Sequence, residues 1–216
     1  MIDCMIFETR CAGCDKVGAA VCTTCRFALL GPPPRVQQHG VIAAVPFSGR
    51  ARDIVLGLKY RNRRQAARHL AGLLVNRLVE RGAHDGLDLV TWAPTSSPRR
   101  HTRGFDQGEV IARTVARQLG VPCRRLVDRV GSSRAQTGQG RTDRLRGPAF
   151  RSRPGLRGCR VLVVDDVVTT GATLHAAADA LRGAGAVLVT LAAVASTPTR
   201  SSATVLPFRS SVEAAA

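Results

Sequence analysis

Two adjacent carboxylates followed by a hydroxyl-rich loop form the stretch of this sequence best suited to chemistry. An apolar run leads into Asp165 and Asp166, and a loop follows that contains Thr169, Thr170, Gly171, Ala172 and Thr173. The glycine lets the backbone approach a ligand closely, and loop amides ahead of a helix favour an anion. Carboxylates beside such a cradle suit vicinal sugar hydroxyls and can help to hold Mg²⁺ through water. The segment therefore predicts a sugar-phosphate site.

The same residues also have a purely structural interpretation. In it, the two carboxylates only end a strand and Thr173 only caps a helix, which is a common arrangement. A cap needs one such residue, whereas polar or glycine residues here occupy six of the nine positions from Asp165 to Thr173. We therefore favour the ligand site.

Strand and helix patterns alternate around this segment and must position it. Apolar runs predict strands over residues 41–47, 87–93, 125–130, 161–164 and 187–194, and helices over 52–60, 66–81, 109–119 and 174–182. This alternation predicts an α/β fold, a mainly parallel sheet with helices on both faces. Ligands bind at the carboxyl ends of strands in such sheets, and the strand before Asp165 is expected to end at that edge.

The N-terminal region contains two cysteine pairs with metal-ligand spacing. Four of the seven cysteines form them, namely Cys11, Cys14, Cys22 and Cys25. Four thiolates suit one tetrahedral zinc ion, and about thirty residues need such a metal because they cannot bury a core alone. Unliganded or redox-active thiols are the alternative. We predict a structural zinc module with its proline linker over residues 1–34, an α/β domain over 35–200, and a frayed tail over 201–216.

The chain is strongly basic, with a formal net charge of +17. Only two of its 32 basic residues are lysines, and arginine suits bidentate pairing with phosphate. Codon bias in a GC-rich genome is the other explanation for this arginine excess. Sixteen arginines face four acidic residues between Arg99 and Arg160, so a polyanionic ligand or a nucleic-acid partner is plausible.

The central motif resembles the signature of type I phosphoribosyltransferases that binds 5-phosphoribosyl-1-pyrophosphate (PRPP). The wider chain resembles the ComF/GntX family, in which a domain of that type follows an N-terminal zinc module. The matching residues are the two cysteine pairs, Leu58-Lys59-Tyr60, Ala93-Pro94, Arg103-Gly104-Phe105-Asp106-Gln107, Gln136, Arg144, Phe150 and the segment from Asp165 to Thr173. Together they cover most of the chain.

The resemblance implies roles for individual residues. Asp165 and Asp166 would contact the ribose hydroxyls as catalytic residues, and Thr169 to Thr173 would hold the 5-phosphate. The turn from Pro94 resembles the pyrophosphate loop, and a long loop starting at Gly131 would close over the substrate. The implied pyrophosphate-loop residues are Thr95, Ser96, Arg99, Arg100 and Arg103. The arginines would bind the diphosphate or a nucleic acid, and a solvated basic loop is an equally weighted alternative.

The sequence departs from the family pattern at four places, one of them near Gly147, where an expected Asn is missing. Asp106 stands where the family has Asn, and Thr91-Trp92-Ala93-Pro94 replaces Val-Pro-Val-Pro. Thr169 occupies the position at which purine-salvage relatives carry an acid that handles the purine ring. This last departure argues against a purine-salvage enzyme.

Two functions follow from these observations. In the first, the protein transfers the phosphoribosyl group of Mg²⁺-bound PRPP to a nitrogen acceptor and releases pyrophosphate. In the second, it binds PRPP or a nucleotide without turnover, as an accessory protein in DNA uptake or processing. The sequence shows neither a signal peptide nor a transmembrane run, so we expect a cytoplasmic protein.

Overall fold

The computed structural model describes residues 8–31, 38–130 and 148–198 as alternating helices and strands. In chain order they are α1 (Thr23–Phe27), β1 (Ile42–Pro46), α2 (Gly49–Tyr60), α3 (Ala67–Glu80), β2 (Leu89–Trp92), α4 (Ser97–Arg103), α5 (Gln107–Leu119), β3 (Val127–Val130), β4 (Ala149–Ser152), β5 (Arg160–Val168), α6 (Ala172–Gly183) and β6 (Leu188–Ser196). Short 3₁₀ turns cover residues 38–40 and 64–66.

The centre of the molecule is a four-stranded parallel sheet in the order β1-β6-β5-β2. Strand β5 is flanked on both sides, and its apolar residues from Val161 to Val164 are fully buried. Successive side chains of a strand point to opposite faces, so Leu162 and Val164 join one core while Val161 and Val163 join another. A strand buried on both faces needs a cover on each of them.

Helices provide both covers. Buried residues of α2, α3 and α5 form the larger core against one face of the sheet, and buried residues of α6 pack against the other. Helix α5 shows how the sequence sets such an element. Asp106 caps its first turn by accepting a hydrogen bond from the Glu109 N–H, and Gly120 ends it at a φ of 69°. The predicted fold class, a mainly parallel sheet with helices on both faces, is confirmed.

Strand β5 is longer than the sequence predicts. We expected it to end at Asp165, but it continues to Val168 because β6 also continues and pairs with it as far as Ser196. The neighbouring strand β2 stops at Trp92, opposite Val164. The two carboxylates therefore lie inside a strand, at the point where that strand extends beyond its neighbour.

The predicted strand over residues 125–130 is not part of the parallel sheet. It forms β3, which pairs antiparallel with β4 in a separate two-stranded sheet. Strand β4 was not predicted, because its four residues carry only a weak apolar pattern. The predicted long loop from Gly131, with Gln136 and Arg144, and the whole predicted tail over 201–216 lie outside the described residues.

The cysteine region packs directly on helix α2. Cys11, Ala12 and Val21 are buried in the same core as Ile54 and Leu58. A Cβ atom on Gly57 would clash with the carbonyl group of Ala12, so only glycine allows this approach of the two backbones.

Arginine side chains add polar contacts between the same two parts. Arg50 donates to the carbonyl of Gly13 (3.2 Å), Arg61 to that of Ala12 (2.6 Å) and Arg63 to the carboxylate of Asp15 (2.7 Å). The module therefore shares a core and an interface with the helix that follows it.

The described helices are all too short or too polar to cross a membrane. The longest, α3, has 14 residues, whereas a spanning helix needs about 20. The cytoplasmic location stays a prediction.

Candidate functional site

A cleft of about 450 Å³ opens at the carboxyl ends of β2 and β5. This is the edge at which ligands bind in parallel α/β sheets. Three carboxylates and three cations lie among its lining residues, together with the apolar side chains of Phe47 and Leu56. The charged residues are Asp106, Asp165, Asp166, Lys59, Arg103 and Arg129. The cleft thus presents both charge signs to one ligand.

The loop between β5 and α6 contributes residues to the cleft and forms a pocket beside it. Thr169 and Thr173 line the cleft itself, and a small adjoining pocket of about 30 Å³ is formed by Asp165 and residues 167–174. Thr170, Gly171 and Ala172 belong to that pocket. Helix α6 begins at Ala172, so its first amides and the positive end of its dipole point toward the pocket. The loop therefore has the chemistry of a phosphate cradle.

Gly171 is required for the shape of this loop. Its φ is 75°, in the left-handed region that favours glycine, and a Cβ atom there would lie 3.0 Å from the Cβ of His39. His39 is held in place by its carbonyl, which accepts a hydrogen bond from Nε2 of His175 (2.7 Å). No sequence pattern indicates this contact, since the two histidines are far apart along the chain.

Asp165 and Asp166 both line the cleft. The backbone N–H of Asp166 donates to Oδ1 of Asp165 (2.7 Å), which orients that carboxylate. Burial raises the pKa of Asp165 well above its ordinary value, and the neighbouring charge of Asp166 raises it further. Two adjacent carboxylates with little competition from water are well placed to accept hydrogen bonds from sugar hydroxyls.

Lys59 provides the counter-charge for this pair. Its Nζ lies 2.9 Å from Oδ1 of Asp166, and both side chains are mostly buried, with exposed fractions of 16% and 14%. The sequence did not decide whether Lys59 has a role, although it is one of only two lysines and belongs to the Leu58-Lys59-Tyr60 motif. The structure places it in the cleft.

Arg103 lines the main cleft but not the cradle pocket, and contacts with Gln107 and Tyr60 fix its guanidinium. Its guanidinium donates to Oε1 of Gln107 (2.9 Å) and to the hydroxyl of Tyr60 (3.1 Å), and it lies 4.9 Å from the centre of the Tyr60 ring. Gln107 is buried, and its Nε2 has no hydrogen-bond partner among the described residues. Tyr60 and Gln107 had no predicted role except as members of quoted motifs.

The predicted pyrophosphate loop is anchored by Asp106. The backbone N–H of Thr95 donates to Oδ2 of this buried side chain (2.9 Å), while Oδ1 caps helix α5. Burial raises the pKa of Asp106, and the backbone donors oppose that shift. Asp at the position of the family's Asn therefore has a clear role, because its two oxygens tie the loop to the helix.

The other predicted residues of this region lie differently. Ser96 precedes α4 and does not line the cleft, and the arginines that we placed in a loop belong to helix α4. Arg100 lines a smaller pocket beside the cleft, with Trp92, Arg125 and Arg129. The side chain of Arg99 is outside the described part of the molecule. Of the five predicted residues, Thr95 and Arg103 line the cleft.

The four cysteines of the two pairs form a second candidate site. Their sulfur atoms all lie within 4.8 Å of one another, and the N–H of Cys22 donates to Sγ of Cys11 (3.3 Å). Among the described residues, they are the only such group of potential metal ligands. Four sulfurs at this spacing are able to hold one zinc ion.

The electrostatics of the cluster fit a cation. Burial acts to raise the pKa of Cys11, but backbone N–H donors of Cys22, Cys14 and Gly13 outweigh it and lower the pKa to about 6. The pKa of Cys25 is raised by burial and by the neighbouring cysteines. One thiol is thus easily ionised and another strongly resists ionisation unless a cation offsets the added charge.

Comparisons with known proteins agree with this arrangement. A family model described as "phosphoribosyl transferase domain" matches residues 106–207. DNA utilization protein YhgH of Salmonella typhimurium is 29% identical over 185 residues, covering 83% of this chain and 80% of that protein. The Escherichia coli K12 protein of the same name is 27% identical over 190 residues, covering 84% and 82%.

The chain also has a likeness to solved structures. The glutamine PRPP amidotransferase of B. subtilis superposes with a TM-score of 0.44 at 24% identity, over 69% of this chain and 28% of that longer one.

The family model covers both the carboxylate pair and the cradle, and the similarity to the curated relatives extends over most of the chain. Residues 106–207 are therefore similar to a phosphoribosyl transferase domain, and the resemblance to the ComF/GntX family that the motifs indicate is confirmed.

Proposed function

We propose that the protein binds PRPP in this cleft and transfers its phosphoribosyl group to a nitrogen acceptor. One observation carries the proposal: a phosphate cradle adjoins a cleft that is lined by two carboxylates and by the cations of Lys59 and Arg103. The cradle suits the 5-phosphate, Asp165 and Asp166 suit the ribose hydroxyls, and Lys59 and Arg103 suit a second phosphate group. A ligand with a phosphate at each end of a sugar matches these three kinds of group.

The reaction needs positioning and charge stabilisation more than a covalent nucleophile. The acceptor nitrogen forms a bond to C1 of the ribose, the bond from C1 to the diphosphate oxygen breaks, and the nitrogen loses its proton. Positive charge develops on the sugar ring as the leaving group departs. Asp165 and Asp166 lie where they would stabilise that charge, and cations at the far end would stabilise the pyrophosphate.

Mg²⁺ would be held by the diphosphate and, through water, by the carboxylates of Asp165 and Asp166. When bound, it would neutralise charge on the leaving group. The two half-buried carboxylates offer the hard oxygen ligands that this ion prefers, so the residues present fit it.

Calorimetry with Mg²⁺ and PRPP on the wild type and on Asp166→Asn tests the proposal. The variant loses a charged acceptor for a ribose hydroxyl, which corresponds to roughly a ten- to hundredfold weaker affinity. Asp179→Asn, at an exposed position on α6, removes the same charge and should leave the affinity unchanged. Equal affinities for wild type and Asp166→Asn would contradict the proposed role of the carboxylates. Release of pyrophosphate on incubation with a metabolite extract tests transfer itself.

A second candidate keeps the ligand site but not the transfer. The curated relatives are named DNA utilization proteins, which supports an accessory role in DNA uptake or processing with PRPP or a nucleotide as a bound signal. A contact with DNA phosphates through the arginine-rich segment would show a steep salt dependence, with a slope of about −0.9 for each contact on duplex DNA. Charge reversal at Arg100 should reduce that slope, and no binding at about 50 mM salt, a permissive condition, would exclude the contact.

The cysteine cluster is proposed to hold one structural zinc ion. All four sulfurs are used by a tetrahedral site, so no position is left open for a substrate. Elemental analysis of the purified protein should find one zinc per chain. A disulfide between two of the four cysteines in protein prepared without oxygen would contradict this assignment.

A further inference from the structure

A second cavity, of about 550 Å³, lies between the cysteine region and the turn that follows helix α2. None of its lining residues belongs to the cleft at the carboxyl ends of the strands. Its volume is in the range of small-molecule sites, about 300–1,000 Å³, but Ala20 is the one apolar side chain among the described residues of its walls. These residues are Glu8, Thr9, Arg10, Ala20, Arg61, Asn62, Arg63, Arg64 and Gln65. Such a cavity suits a polar ligand.

Positive charge dominates the walls of this cavity. They carry four guanidinium groups and one carboxylate, that of Glu8. Two of the guanidinium groups have acidic partners. Arg10 lies 3.5 Å from Glu8, and Arg63 lies 2.7 Å from Asp15, which does not line the cavity.

The hydrogen bonds of the other two guanidinium groups go only to neutral oxygens within the described residues. Nη2 of Arg61 donates to the carbonyls of Ala12 (2.6 Å) and Asp53 (3.3 Å). Nε of Arg64 donates to the amide oxygen of Asn62 (2.8 Å). Because a guanidinium has five N–H donors in a planar fork, several donors of each side chain are left for a ligand. Two positive charges of the cavity thus lack a carboxylate partner in the described chain.

Arg63 also has more donors than acceptors around it. Its Nη2 donates to Asp15, but its Nε is buried and has no hydrogen-bond partner among the described residues. A buried donor without a partner is destabilising, and native proteins rarely contain one. The arginine cluster therefore has donors that the described chain does not satisfy, which is the arrangement that an anion would complete.

The turn that carries three of these arginines has a fixed conformation. Asn62 adopts a left-handed conformation, with a φ of 52°, which Asn tolerates better than most residues. The backbone N–H groups of Arg61 and Arg63 both donate to the carbonyl of Gly57 (3.1 and 3.2 Å). Cations at this position also stabilise the dipole of α2, but that effect does not explain Arg10, which the cysteine region contributes to the same cavity. Arginines from two separate parts of the chain are thus preorganised around one space.

We propose that this cavity binds a small ligand that carries a diphosphate or triphosphate group. Arginine pairs with phosphate oxygens through two parallel hydrogen bonds, and linked phosphates match several neighbouring guanidinium groups. A single phosphate ion would fill little of the cavity. Walls that come from two parts of the chain favour a compact ligand over a nucleic-acid strand. The site is separate from the PRPP cleft and does not depend on the function proposed for that cleft.

Calorimetry with inorganic triphosphate on the zinc-containing full chain tests the site, at an ionic strength of about 0.15 M so that diffuse attraction to the basic protein is screened. Arg64→Gln and Arg10→Gln each remove one charged donor from a different wall and should weaken binding about tenfold. Arg52→Gln removes the same charge from an exposed position on α2 and should leave the affinity unchanged. Gly171→Ala, which alters the cradle beside the PRPP cleft, should also leave it unchanged.

Three results would overturn the proposal. An equal loss in Arg52→Gln would mean that net charge alone attracts triphosphate. A loss in Gly171→Ala without a loss in Arg64→Gln would place triphosphate in the PRPP cleft. Absence of binding to the wild type would remove the site altogether.

A short oligothymidylate, titrated in parallel, distinguishes a free ligand from a nucleic-acid strand. We expect it to bind this cavity more weakly than triphosphate does. If it binds more tightly and loses affinity in Arg64→Gln and Arg10→Gln, the cavity serves a nucleic-acid strand and the proposed ligand class is wrong.

A measurement on the wild type covers the case in which the variants do not fold. Phenylglyoxal modifies accessible arginines, and mass spectrometry of the peptides reports on each of them. Triphosphate should protect Arg61 and Arg64, which are exposed residues of the cavity wall, and should leave Arg52 as reactive as before. Equal protection of all three arginines, or of none, would contradict the site.

Discussion

The two ends of the cleft are built by different means. The cradle end comes from one continuous segment, Asp165 to Thr173, whose loop amides and helix dipole would bind a phosphate. The side-chain end of the cleft comes from separate elements, with Lys59 and Tyr60 on α2, Arg103 on α4 and Arg129 on β3. A backbone site depends on local conformation, whereas a side-chain site depends on how its helices pack. A substitution at one end should therefore weaken ligand binding at that end and leave the other end unchanged.

Loss of zinc should cause the largest decrease in stability and in ligand affinity. The decrease in affinity should arise mainly at the side-chain end. Structural zinc contributes about 10–16 kcal/mol of apparent binding free energy in zinc-finger peptides, and the module packs on α2, which carries Lys59 and Tyr60. We expect Cys14→Ser to lose zinc in elemental analysis, to unfold at a lower temperature and to lose PRPP affinity more than ribose 5-phosphate affinity. Cys159→Ser changes a thiol outside the cluster and should retain the metal. Equal losses for both ligands would argue against independent ends.

Gly171→Ala should weaken phosphate binding at the cradle end and leave the side-chain end unchanged. A left-handed conformation costs a non-glycine residue about 1–2 kcal/mol, and the new Cβ would meet His39 at 3.0 Å. We expect affinities for ribose 5-phosphate and PRPP to fall by the same factor, about tenfold or more if the loop relaxes out of shape. Gly183→Ala is the control, because it lies at the other end of α6 with open space around it. Calorimetry that showed a loss for PRPP only would contradict the placement of the 5-phosphate.

Acid should weaken sugar binding through Asp165. Its folded-state pKa is raised by burial and by Asp166, so the folded protein keeps a proton that the unfolded chain has lost. The contribution of Asp165 to stability is therefore lost as the pH rises toward its raised pKa. Its carboxyl group can accept hydrogen bonds on both oxygens only above that pKa, once the proton has left. Ribose 5-phosphate affinity should rise with pH across this window, by at most about tenfold per pH unit for one proton.

Asp165→Asn provides the reference for that titration. The phosphate group of the ligand has its own second pKa of about 6, and its effect is present in both proteins. Subtracting the pH profile of Asp165→Asn from that of the wild type leaves the pH dependence that is due to the Asp165 carboxyl group. Identical pH profiles for the two proteins would exclude Asp165 as the titrating acceptor.

Tyr60→Phe should have the smallest effect, confined to the side-chain end. The change removes the hydroxyl that accepts from Arg103 at 3.1 Å but keeps the ring beneath the guanidinium. Loss of one hydrogen bond of about 0.5–1.5 kcal/mol corresponds to a two- to roughly tenfold weaker affinity for PRPP. The affinity for ribose 5-phosphate should not change. If it falls as well, Arg103 supports the whole cleft and not only its C1 side.

The same difference between the two ends explains what could be predicted from sequence. The cradle was predictable because Asp165, Gly171 and Thr173 are close along the chain, so their spacing alone sets their geometry. The contact between Lys59 and Asp166 was not, because it forms only when α2 packs beside β5. Motif resemblance marked Lys59 and Gln107 as notable residues, but it did not indicate which atoms they would contact.

The fold shows a similar division. Apolar periodicity predicted the parallel sheet, since the Val161–Val164 run is buried on both faces. It missed the continuation of β5 to Val168, which depends on pairing with a distant strand, β6. It also assigned no partner to β3, because the four residues of β4 are exposed or half-buried and show little pattern.

The backbone contact at Gly57 limits how this protein can change during evolution. Helix α2 can approach the carbonyl of Ala12 only while residue 57 has no side chain, so any substitution there separates the cysteine module from the α/β domain. The reverse also holds, because a domain that acquired this module would need a glycine at the matching helix position before the two surfaces could meet. We expect the glycine and the cysteine pairs to be inherited or lost together, and a chimera that places this module on a domain without the glycine to fail unless it exchanges α2 as well.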